Sequence, residues 1–165
     1  MSDNVLARLF EHNNWANLRI IEACTALSNH QLDAEPQSAT FGSIRVTLTH
    51  MVAAQQGYLS LLTLPIEARH RVSPSFAELS QVASSSGAGL LELARNEAIT
   101  DLKTRVQTTD GYFIEPWVVL VQAINHATEH REQINSMISA LGVTPPELDG
   151  WTYGEVTEAV VLISR

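Results

Sequence analysis

The chain has 165 residues, 45% of them hydrophobic and 17% charged, with a formal net charge of −8. This fits an ordinary globular protein, a single domain over residues 1–165 with a sizeable core, and excludes a disordered chain. With no basic stripe, no apolar run of membrane-spanning length, no signal-peptide pattern in Met1-Ser2-Asp3-Asn4 and one cysteine, Cys24, the chain reads as soluble and cytoplasmic, binding neither nucleic acid nor membrane.

The first predicted helix runs from about Asp3 to Leu27, where Leu6, Leu9, Phe10, Asn13, Asn17, Ile20, Ile21, Cys24 and Leu27 form one stripe at helical spacing. Ser28-Asn29-His30-Gln31 reads as a capping box opening a short helical turn. The second long helix spans about Gly42 to Leu64, with Arg45 its only charged residue, so it should be packed on several sides. Ser75-Phe76-Ala77-Glu78 is a second capping box, opening a third helix that reaches about Asp101. Ser84-Ser85-Ser86-Gly87-Ala88-Gly89 in its middle suggests a kink or break, since each glycine costs roughly 1 kcal/mol against alanine inside a helix.

Asp110-Gly111 lies between two short stretches of strand character, Arg105 to Thr108 and Tyr112 to Ile114, and marks a hairpin. Pro116 suits the first turn of a fourth long helix, and Gly142 suits the position just past its end. A short helix from about Gly154 to Leu162 closes the chain. All six prolines fall at element boundaries. The fold class expected is all-α: a four-helix bundle with a short hairpin-like excursion before the fourth long helix and a short C-terminal helix.

The fourth helix carries His126-Ala127-Thr128-Glu129-His130. Histidines at i and i+4 share a helix face one turn apart, a spacing that lets both imidazoles reach one metal ion. Val119, Ala123, Gln133, Ile134 and Met137 fall near that face, while Arg131 and Glu132 point away. The pair therefore interrupts a core-facing stripe. Two ligands rarely suffice, and His50 is the best third candidate, because it sits deep in the most apolar helix beside the small residues Ala53, Ala54 and Gly57. A lone histidine there would ordinarily be a hydrogen-bonded core residue. Beside the pair, three buried imidazoles without a metal would leave nitrogens unsatisfied, at about 1–3 kcal/mol each. His70, between Arg69 and Arg71, reads as solvated, His30 belongs to the capping segment, and His12 can face either way.

Gly42-Ser43-Ile44, Leu48-Thr49-His50-Met51-Val52 and Ile124-Asn125-His126-Ala127-Thr128-Glu129-His130-Arg131-Glu132-Gln133-Ile134 together resemble the DinB family, also called DinB/YfiT-like. The opening Asn14-Trp15-Ala16-Asn17 and the closing Leu141-Gly142 with Pro145-Pro146-Glu147-Leu148-Asp149 look like that family too. The resemblance covers nearly the whole chain. Glu132 departs from it, since relatives often have glycine there. The resemblance implies a four-helix bundle and a divalent metal, commonly nickel or zinc, held by three histidines that match His50, His126 and His130. It also implies a homodimer. Some members are S-transferases or isomerases that use a low-molecular-weight thiol such as bacillithiol, mycothiol or glutathione.

Three neutral histidines leave coordination positions open, as catalytic zinc sites do. The leading expectation is a transferase joining such a thiol to a small electrophile. The alternatives are a non-catalytic metal-binding stress or sensing protein and a metal-dependent hydrolase. No catalytic side chain is identified. Asn13 and Asn17 either line the cavity or bond backbone groups or each other. Gln133 is a candidate partner holding a ligand histidine. Glu129 reads as a solvated carboxylate or a base, and Cys24 as a small buried hydrophobe. Trp15, Trp117 and Trp151 read as packing residues, with Trp151 and Tyr153 also able to cover the cavity mouth.

Overall fold

The fold is given by a computed structural model that describes residues 4–37, 39–71, 73–96 and 105–163. Four long helices, α1 (Val5–Thr25), α3 (Ile44–Thr63), α4 (Leu79–Arg95) and α5 (Pro116–Ala140), make the bundle. Two short ones, α2 (Asn29–Asp33) and α6 (Gly150–Val156), flank it. The expected hairpin is present as β1 (Val106–Gln107) and β2 (Phe113–Ile114), paired Val106 to Ile114 and Gln107 to Phe113.

Local chemistry explains most boundaries. The side chains of Asn4, Ser43 and Asp149 each accept a hydrogen bond from the first turn of α1, α3 and α6. Both predicted capping boxes form, Ser28 with Gln31 and Ser75 with Glu78. Beyond α5, Gly142 takes φ 75°, which places its amide on Ser139 O and the Val143 amide on Ile138 O. This pair of bonds closes the helix as a Schellman motif.

Expectations for α4 and α6 are corrected. Helix α4 is unbroken through Gly87 and Gly89, because those glycines serve packing. A Cβ at Gly87 would meet Asn14 Oδ1 at 2.7 Å, and one at Gly89 would meet Leu59 Cδ2 at 2.6 Å. The absent side chains let α1 and α3 approach. Helix α4 ends at Arg95, with Asn96 already extended, and the rest of its expected reach to Asp101 lies outside the described residues. Helix α6 starts and ends earlier than expected, because Asp149 caps it through the Thr152 amide at 2.8 Å.

Cross-helix pairs fix the directions. Asn4 Nδ2 donates to Ala94 O and Asn14 Nδ2 to Gly87 O, so α1 and α4 are antiparallel. Gln55 reaches Ala83 O and Leu59 packs on Gly89, so α3 and α4 are parallel. His50 packs edge-on to His130 while Tyr58, further along α3, packs edge-on to His126, so α3 and α5 are antiparallel. Helices α1 and α5 are then parallel. Parallel neighbours cannot be joined by a tight turn, so the chain after α3 runs back along it. Arg71 and Ser73 consequently share a surface with Arg45 and Val46 near the start of α3.

The core divides into two apolar clusters. One includes Ile20, Leu48, Met51, Leu79, Ile134 and Met137, and the other Phe10, Leu90, Ala94, Leu120 and Ala123. On α1, α3 and α4, buried Asn13, Gln55 and Ser86 fall between the residues of the two clusters, and buried Asn17 follows Ala16 of the first. Among the described residues no helix is long and apolar enough to cross a membrane.

Candidate metal centre

The antiparallel pairing of α3 and α5 brings one ligand candidate from α3 against two from α5. His126 Nε2 lies 3.0 Å from His50 Nε2 and 3.2 Å from His130 Nε2. One ring nitrogen from each histidine lies within 4.8 Å of the others, an arrangement compatible with binding a metal ion. At a metal–imidazole bond of about 2.0–2.1 Å, two ligand nitrogens stand about 3 Å apart. The two short separations thus match those across a shared ion.

The hydrogen bond behind His130 supports the same reading. Its Nδ1 lies 2.8 Å from Gln133 Oε1. A carbonyl oxygen only accepts, so the proton is on Nδ1 and Nε2 keeps its lone pair for the cluster. His126 is pushed down to about 4, first by burial and then by His130 and His50. His50 is lowered by burial, then by His130 and Arg71. Both rings therefore favour the neutral form that a metal requires. Phe41 packs on His50 and His130, its ring centroid 4.4 and 5.3 Å from theirs.

The cluster is open on one side. His50 and His126 form part of the wall of a cavity of about 450 Å³. Ala54, Gly57 and Leu61 supply small and apolar wall, and Tyr58 stands edge-on to His126 at 5.8 Å. Burial raises the Tyr58 hydroxyl, which stays protonated and able to donate. The rim is Arg69, His70 and Arg71 from the returning connection, with Thr108 and Thr109 from the hairpin. His70 is exposed, as expected for a loop residue, yet it edges this cavity.

Other residues singled out in the sequence lie elsewhere. Asn13 and Asn17 do not line the cavity: their Oδ1 atoms accept from Arg131 Nη1 at 2.8 and 2.5 Å. Arg131 was expected to point away from the core, but it is only 3% exposed. Its Nη2 also donates to Thr128 Oγ1 at 2.9 Å. From Asn17 the chain of bonds continues to Gln55 Oε1, and Gln55 Nε2 donates to Ala83 O and Ser86 Oγ. No residue in this network carries a negative charge, and burial lowers the Arg131 guanidinium to about 10.

His12 meets Leu148 O, and its ring packs tilted against Trp15 and edge-on against Tyr153. His30, Glu129 and Glu132 are exposed. Cys24 is buried, its thiol pushed up to about 12, so it is no nucleophile at neutral pH. Trp15 packs on the core, whereas Trp117 and Trp151 are exposed and are not core residues. Trp151 and Tyr153 border a separate groove between α1 and α6, so they do not cover the histidine cavity. The sequence reading missed Tyr58, Arg71 and the burial of Arg131. Arg131 left one signal: it lies about a quarter turn from His130 on α5.

No curated protein matches the chain. The family model that matches is the DinB family, over residues 1–160 of 165. That match spans α1 to α6, the histidine cluster and its returning rim, and the chain therefore belongs to the DinB family.

Proposed function

We propose that His50, His126 and His130 hold one divalent ion, nickel or zinc, and that the protein joins a low-molecular-weight thiol to a small electrophile. The observation that carries this is the convergence of three imidazole nitrogens, with the rings of His50 and His126 lining an open cavity. A purely structural site is closed by a fourth protein ligand, and among the described residues no carboxylate or thiol joins the three histidines. The chemistry such an ion supplies is to lower the pKa of a thiol it binds, favouring the reactive thiolate.

The chain's own residues do the rest. Gln133 holds the Nδ1 proton of His130 and thereby sets its tautomer. Phe41 shields one side of the cluster, and Ala54 and Gly57 leave room above His50. Tyr58 offers a proton-bearing hydroxyl near His126. The family reading also carries a homodimer, for which exposed Trp117, Val118 and Val121 on α5 offer an apolar face.

The test is metal content followed by conjugation. Purified protein should carry one divalent ion per chain, and His50→Ala and His126→Ala should carry almost none. Equal content in all three would overturn the site. Metal-loaded protein should conjugate at least one of bacillithiol, mycothiol, glutathione or cysteine to an electrophile panel. Silence with all four, or turnover of esters with no thiol added, would overturn the transferase.

A further inference from the structure

The charges around the histidine cavity run against those of the whole chain. The protein carries a formal net charge of −8, yet no aspartate or glutamate lines the cavity, and Arg69 and Arg71 do. Glu129 acts on Tyr58 from outside the lining.

The two arginines differ. Arg69 is committed to the backbone, with Nε on Leu64 O at 2.9 Å and Nη1 on Gln107 O. It ties the returning connection to the hairpin. Arg8, Arg19, Arg45, Arg95 and Arg105 each pair with a carboxylate. Arg71 has no such partner among the described residues. It stands close enough to His50 to act on that ring electrostatically, and it borders the cavities on both sides of His50. In a chain this acidic, an unpaired cation beside a lined cavity is a recognition element in want of an anion. A guanidinium meets a carboxylate with two parallel hydrogen bonds, which fixes orientation as well as charge.

We propose that Arg71 is a specificity residue that binds an organic carboxylate of the molecule entering the cavity. Thr108 and Thr109 supply neutral polar wall around it, and Arg69 holds the rim in place. The substrate class follows: an anionic thiol or anionic electrophile whose carboxylate docks at the rim while its reactive end reaches the histidines. This deepens the proposed function and rests on its reading of the cavity as the substrate site.

Calorimetric binding to the metal-loaded protein tests it without turnover. Mercaptoacetate is compared with mercaptoacetamide, and succinate with succinamide, in wild type, Arg71→Gln and the remote control Arg19→Gln. Wild type should prefer the carboxylate by about fivefold or more in at least one pair, and Arg71→Gln should abolish that preference while Arg19→Gln keeps it. Preference confined to the thiol pair assigns the subsite to the cosubstrate, and preference within the succinate pair assigns it to the acceptor. A preference unchanged in Arg71→Gln, as when the carboxylate binds the ion alone, would overturn the proposal, as would no preference in wild type. A failed conjugation assay leaves this binding result intact, so the two readings fail separately. Equal metal content in wild type and Arg71→Gln shows that the variant has kept its site.

Discussion

His130 and Arg131 are neighbours on α5 and face opposite fates. His130 turns toward α3, and its Nε2 joins the imidazole nitrogens of His50 and His126, which line the cavity. Arg131 turns toward α1 and is enclosed, its guanidinium taken up by Asn13, Asn17 and Thr128. One cluster brings imidazole nitrogens together, and the other brings donors to acceptors. Imidazole nitrogens so gathered suit a shared cation. The Arg131 cluster already contains its cation, and it links all four long helices through Gln55 and Ser86. Both are polar and largely buried. The difference in bonding separates a candidate ligand site from a structural layer.

Replacing Arg131 breaks or sharpens that contrast most strongly. Arg131→Met keeps most of the side-chain volume but leaves the Asn13 and Asn17 oxygens without a donor in the core. Each such loss costs about 1–3 kcal/mol, so stability in urea should fall by about 3 kcal/mol. Metal content should stay near that of wild type. If metal were lost while stability held, the Arg131 layer would belong to the site and the contrast would fail.

The sequence announced the histidine cluster better than the Arg131 layer, for a physical reason. A helix wheel centred on His126 assumes one buried face. Helix α5 packs on both α3 and α1, so its buried arc is wide enough to take in Arg131. The four long helices, both capping boxes and the hairpin were legible because Ser28, Ser75, Asp110-Gly111 and Pro116 act locally. The rim at His70 and Arg71 was not, because it follows from α3 and α4 being parallel, a property of the whole bundle. Gly87 and Gly89 misled similarly: a local helix cost was offset by close approach of Asn14 and Leu59.

Gln133 tests the histidine side of the comparison. Its carbonyl fixes the His130 proton at 2.8 Å, and partners of ligand histidines typically contribute 10–100-fold in metal affinity. Gln133→Leu should weaken metal binding by at least about tenfold, read by competition with a chelator, with little change in metal-free stability. Gln133→Glu retains an acceptor and should keep more affinity than leucine does. Equal affinity in wild type and Gln133→Leu would mean that the tautomer is set by something else.

The smallest effect separates the two clusters by their protons. In the metal-free protein His126 is held at about 4, against 6.5 for an unperturbed imidazole, by burial first and then by its histidine neighbours. Between those values the unfolded chain binds a proton that the folded chain refuses. Stability therefore rises with pH across that window, is complete above 6.5, and is lost as pH falls toward 4. His50 is shifted in the same direction and adds to the slope. Arg131, lowered only to about 10, keeps its charge throughout and contributes nothing there. Chemical denaturation of metal-free protein between pH 6.5 and about 5 should show that slope, flattened in His126→Asn and unchanged in Arg131→Met. An equal slope in His126→Asn and wild type would remove burial of a neutral His126 from the account of the site.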